Sequence, residues 1–146
     1  MSNWKRITEQ NLVAALSRHE VDAYRSDFEV DTVNLLIADV VAEVRDHVAS
    51  NGNVRMDPDE ATVPASCVSK ALDILVLRVL KRINVQPVQV RIDAARAAEE
   101  FLARIAEGKI TPQGYDAGST EPTGGACAVV IRNARERVSA AKLEGL

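Results

Sequence analysis

Aromatic residues are nearly missing from this chain: one Trp, two Tyr and two Phe make up 3% of its 146 residues. A pocket walled by aromatic rings is therefore not expected. Cysteine is just as sparse. Cys67 and Cys127 stand far apart, in neither a CxxC nor a His-paired spacing, so the pattern offers no zinc site and no redox dithiol. Two reduced thiols in a cytosol are the expectation. The two histidines, His19 and His47, have no neighbouring His, Cys or paired carboxylate in a recognised spacing, which leaves metal ligation and general-base chemistry unsupported. Positive charge is not in excess either. With 18 basic against 21 acidic groups and a formal net charge of -3, the chain has no global attraction for nucleic acid or anionic lipid.

Long apolar runs are also lacking. The longest cluster, ALDILVLRVL at 71–80, is interrupted by Asp73 and Arg78 and is far too short to cross a bilayer. The opening MSNWKRITEQ has no apolar stretch behind its basic residues, so no signal peptide is expected there. Ser66, Ser69, Ser119 and Ser139 lack the GxSxG context of an activated nucleophile. The glycines of Thr123–Gly124–Gly125 are followed by no GKS or GKT, so they form no phosphate loop. No catalytic residue, cofactor or metal is assigned, and the chain is read as a non-enzyme.

What the sequence does contain is aliphatic: 47% of it is hydrophobic, carried by Ala, Val, Leu and Ile. A chain of this length can bury one such core without disulfides or metal, and small side chains favour helix packed on helix. Thr8 reads as an N-cap feeding a short helix through Leu12, Val13 and Leu16. Residues 17–29 read as a loop or a short helix. From Asp31 the period is definite: Val33, Leu36, Ile37, Val40, Val41, Val44 and Val48 make one stripe, while Asp39, Glu43 and Asp46 lie off it.

The stretch SNGNVRMDPDEATVP, 50–64, is turn chemistry and long for a connection, which makes it a candidate contact surface. Pro64 suits the first turn of the next helix, with Thr62 or Val63 as its cap, and that helix is expected to run to about Asn84. Its apolar residues wrap several faces, so it should be central, and Pro87 blocks its continuation. A last helix places Ile92, Ala95, Ala98, Phe101, Leu102 and Ile105 on one side and should end at Gly108.

Three pieces resemble the Mu-like prophage family of small head–tail connector proteins of tailed phages. IADVVAEVRDHVA, 37–49, resembles the family's first long helix, and PASCVSKALDILVLRVL, 64–80, its apolar second helix after a Pro. VRIDAARAAEEFLARIAEGKI, 90–110, resembles its closing helix with an apolar-Ala-x-Gly-Lys end. The resemblance covers roughly residues 4–112 and brings no catalytic residue. It implies a mainly α fold of three main helices plus a short N-terminal one, and a virion role. Copies would form a ring at the neck, below the portal protein and against a tail-side neck or stopper protein, with DNA passing through without sequence-specific binding. Synthesis would be in the cytoplasm of the bacterial host, with no membrane partner.

On this reading residues 1–110 form the connector-like domain and 111–146 an extended docking arm. The Gly, Pro, Ser and Thr of 112–125 cannot bury enough apolar surface to order by themselves. CAVVIR, 127–132, suits a short strand that pairs with a partner, so Val129, Val130 and Ile131 with Arg132, Arg135 and Arg137 are candidate docking residues for the portal or a neighbouring subunit. Asp39, Glu43 and Asp46 form either a solvated face or a channel wall whose negative charge keeps DNA from sticking. The rival reading is a small helical DNA-binding regulator acting as a dimer.

Overall fold

The computed structural model describes residues 2–27 and 29–116, and these are mainly helical. In chain order they form β1 (Trp4–Arg6), α1 (Glu9–Ala15), α2 (Arg18–Asp27), α3 (Val30–Asn51), β2 (Thr62–Pro64), a 3-10 turn (Ala65–Cys67), α4 (Val68–Arg82) and α5 (Gln89–Ala106). The three expected long helices and the short first one are present. The helix over 18–27 is one of the two alternatives read for 17–29, and the strand pair is an addition.

Local chemistry accounts for each boundary. Thr8 caps α1 with a capping box: its Oγ1 accepts from the Asn11 amide, and Asn11 Oδ1 accepts from the Thr8 amide. Ser17 and Glu20 repeat the device at α2, where Ser17 Oγ accepts from the Glu20 amide and Glu20 Oε1 from the Ser17 amide. This decides the open reading of 17–29 in favour of a helix. Gly52, at φ 79°, takes the left-handed conformation that stops α3.

Two corrections concern α4. Pro64 is the last residue of β2 rather than part of the helix's first turn, and Thr62 cannot cap because its hydroxyl donates to the Asp57 carboxylate at 2.7 Å. The helix ends at Arg82, earlier than expected, because Asn84 adopts φ 59° and the Val85 amide returns to the Leu80 carbonyl. Asn tolerates that left-handed position better than other side chains do, and so stops the helix as a Gly would. Gly108, at φ 83°, stops α5 in the same manner, with the Lys109 amide bonded to the Arg104 carbonyl.

The core is aliphatic, as composition required. Val33, Val40, Val44 and Val48 of α3 meet Leu75, Val76, Val79 and Leu80 of α4 and Ala98, Leu102 and Ile105 of α5, all fully buried or nearly so. Helix α4 is buried on several sides, which its apolar girth foretold. β1 and β2 pair antiparallel in the register Trp4 with Pro64, Lys5 with Val63 and Arg6 with Thr62, closing Trp4 and Val63 over one end of the core.

The body does not finish at Gly108. Residues 111–116, assigned from sequence to the arm, lie on it: Pro112 is buried, Trp4 Nε1 donates to the Gln113 carbonyl at 3.1 Å, and Asn3 Nδ2 donates to the Gly114 carbonyl at 2.7 Å. Tyr115 meets Trp4 edge-on with ring centroids 6.5 Å apart. Ser2–Asp116 therefore forms one compact unit.

Candidate functional site

The described residues contain no group of three or more His, Cys, Asp and Glu side chains placed to hold a metal. His19 is exposed, and His47 Nδ1 sits 2.8 Å from the Glu43 carbonyl one turn back, a local bond on its own helix. Ser66 and Ser69 face solvent. Burial pushes the Cys67 thiol up to about 11, against a weaker opposing hydrogen bond from Ser66, so it is an unreactive core side chain.

The acidic row on α3 divides. Asp39 and Asp46 are exposed, whereas Glu43 is half-buried and accepts from Arg78 of α4 at 2.6 Å. Glu43 therefore ties two helices together instead of standing in a free acidic face. Val129, Val130, Ile131, Arg132, Arg135 and Arg137 lie outside the described residues.

The 50–64 connection is fixed on its inner side by a residue that sequence reasoning passed over. Arg45 of α3 reaches three of its carbonyls: Nη1 donates to Asp59 O at 3.0 Å and Thr62 O at 2.7 Å, and Nη2 donates to Asp57 O at 2.7 Å. The same guanidinium lies 5.4 Å from the Trp4 ring centroid. Asp57 is itself buried, its carboxylate accepting from Thr62 Oγ1 and from the Asp59 amide. Asp59 is held below the usual carboxylate range by the Ala61 amide first, and then by the charges of Arg6 and Arg45.

A second buried polar contact orders the start of α5. Arg91 donates to Glu20 Oε1 at 2.6 Å and to the Ala15 carbonyl at 2.9 Å. Burial works to raise the Glu20 carboxyl, but the Arg91 bond and charge and the Ser17 amide outweigh it and leave it below its ordinary value. Between α2 and α1, Tyr24 donates to Glu9 Oε2 at 2.5 Å; burial and that carboxylate together push the phenol well up.

These fixed pieces frame a groove of about 720 Å³ along one flank of α3. Its floor is Ile7, Ile37 and Val41, with Ala38 and Ala42 as the exposed wall, and volumes of this order fall within the range for binding clefts, about 300–1,000 Å³. The far rim is Asp59–Ala61, so the 50–64 connection lends its outer side to the groove. Arg6 and Asp59 on the rim neutralise each other, while Glu9 and the exposed Glu60 leave the rim acidic. A cleft with this lining can hold an apolar side chain carried on a basic segment, but it presents no paired acid, base and nucleophile.

No helix among the described residues is long and apolar enough to cross a membrane. No family model, no curated protein and no solved structure matches the chain.

Proposed function

We propose that this protein is a head–tail connector subunit of a tailed phage. Copies assemble as a ring below the portal, dock on the portal protein and on a tail-side neck or stopper protein, and enclose part of the channel through which DNA passes. The observation that carries the reading, beside the sequence resemblance, is the outer side of α3. Along its 22 residues one flank is an open, apolar-floored groove, and Asp39 and Asp46 point to solvent beside it. A helix whose exposed flank is small and apolar, Ala38 and Ala42 standing over a floor of core side chains, suits contact with another protein chain. Exposed carboxylates at Asp39 and Asp46 suit a wall that DNA must slide past, since like charge keeps the phosphates from binding.

The DNA-binding regulator is the weaker reading. The outer face of α5 alternates Arg96 and Arg104 with Asp93, Glu99, Glu100 and Glu107, which is no basic face for phosphates. Light scattering on the free protein and negative-stain imaging of the protein with its portal test the proposal. Closed rings or decorated portals are expected. A stable dimer that leaves portals bare would overturn it.

A further inference from the structure

We infer that the groove on α3 receives the Val88–Val90 corner of a second copy of this chain, in a head-to-tail contact; the inference rests on the connector reading and names its subunit interface. Among the described residues three large hydrophobic side chains stand out in solvent: Leu35 at 68%, Val88 at 61% and Val90 at 75% exposure. Leu35 lies on α3 one turn before Ala38, which lines the groove. Val88 and Val90 flank the first residue of α5, on the corner where α4 turns into α5. The three exposed large apolar side chains thus fall at two places, the helix that carries the groove and the α4–α5 corner.

The corner is held ready. Asn84 in its left-handed conformation and the Val85–Leu80 backbone bond fix the turn before it, and Arg91, anchored on Glu20 and the Ala15 carbonyl, fixes the turn after it. A preformed projection loses little freedom on docking, so its two Val side chains can be buried without an ordering penalty. Charge matches as well. Lys81 and Arg82 are exposed in the last turn of α4, which leads into the corner, and although Asp27 and Glu29 border Arg82, Lys81 is unpaired among the described ion pairs. The groove rim opposes them with the exposed Glu60, and with Glu9, whose carboxylate also accepts from Tyr24.

The two surfaces cannot meet within one chain. Glu43 faces α4 through Arg78, whereas Asn34, Ala38 and Ala42 line the groove on the other flank of α3, so α4 and the corner that follows it lie across that helix from the groove. Joined head to tail, one patch on a different patch is a heterologous contact, which repeats until a ring closes; the same contact made reciprocally about a two-fold axis stops at a dimer, and a wild-type chain that stops there would overturn the head-to-tail arrangement.

The test uses the full chain in sedimentation equilibrium up to near-millimolar concentration. Wild-type protein is expected to assemble beyond a dimer. Val90→Asp removes the corner and Ala38→Gln obstructs the groove; both positions are exposed, so far-ultraviolet circular dichroism should be unchanged. Each variant alone should associate about tenfold more weakly or worse. Mixed together, they retain one intact groove and one intact corner and should form a one-to-one dimer and nothing larger. A wild-type chain that stays monomeric, a variant that assembles like wild type, or a mixture that stays monomeric would each overturn the contact. A chain that remains monomeric yet decorates its portal removes this interface and leaves the connector reading standing; one that does neither removes both.

Discussion

Replacing Arg45 by Met keeps the length and apolar stem of the side chain and deletes only the guanidinium. The group serves three carbonyls at 2.7–3.0 Å and lies 5.4 Å from the Trp4 ring centroid. Hydrogen bonds to a charged donor contribute about 1.5–3 kcal/mol each, so three in a sealed site would total well over 4 kcal/mol. Arg45 is only half-buried, however, and water can reach its partners from the small cleft between α3 and Met56. The carbonyls rehydrate in the variant, which brings the expected loss to about 2–4 kcal/mol, the ring contact adding at most about 1 kcal/mol of that. Urea denaturation should show an earlier midpoint with an unchanged slope. Trp4 is the chain's one tryptophan, so its fluorescence reports the same site without a label. Limited proteolysis should cut between Asn53 and Ala61 in the variant before it cuts the wild type. A loss below about 0.5 kcal/mol with unaltered Trp4 emission would refute the claim that this cation holds the connection in place.

Leu75 and Leu102 are 0% and 1% exposed in the packed centre of α4 and α5. Truncation of either to Ala should cost about 2–5 kcal/mol by chemical denaturation, and a loss under about 1 kcal/mol at both would show the helices packed by other faces. Glu20→Gln should cost about 1–3 kcal/mol at neutral pH, given a pair that is mostly but not fully buried. Because the folded carboxyl lies below the ordinary 4.5, the wild-type advantage should be complete above that pH and vanish as pH falls through the folded value; an advantage that persists in strong acid would be inconsistent with this pair. A chain ending at Lys109 should keep its helical circular dichroism. It should nonetheless be less stable, by on the order of 2 kcal/mol, than one ending at Asp116, because it lacks the acceptors of Trp4 Nε1 and Asn3 Nδ2. Equal stability of the two would show that 111–116 is a passive appendage.

Much of the helical layout was legible because it is written at short range. The Val stripe of α3 and the girth of α4 name their own core faces, and Thr8, Gly52 and Gly108 are caps and stops readable within four residues. Two local signals were present and overlooked. Ser17-Arg18-His19-Glu20 is the capping-box spacing that begins α2, and Asn84 before Val85 and Pro87 is a left-handed stop. The strand pair carried no such signal. Trp4–Arg6 is three residues long, too short for an alternating period, and it is a strand only because Thr62–Pro64 comes back beside it. The same limit hid Arg45, Glu20 with Arg91, and the return of 111–116. Each is a bond between residues 12 to 113 positions apart, and a one-dimensional pattern cannot place them side by side.

The groove was hidden for a related reason, though α3 held a trace of it. Its lining comes from the β1–α1 connection, from α3 and from the outer side of the 50–64 connection, and none of these stretches is apolar enough to suggest a cleft by itself. The trace lies in the spacing of small residues. Ile37 and Val41 belong to the core stripe, and on the flank beside them the sequence places Asn34, Ala38 and Ala42 at four-residue steps, where long polar side chains would ordinarily cover the edge of the core. Ala at those steps makes a shallow exposed wall over Ile37 and Val41, which are themselves 9% and 4% exposed, and Leu35, one turn before Ala38, stands in solvent on the same helix. A helix built only to fold one body gains nothing from an exposed wall of Ala. In the proposed subunit contact the shallow Ala wall would let another backbone come close, and the exposed Glu60 on the rim would face a cation on the arriving chain.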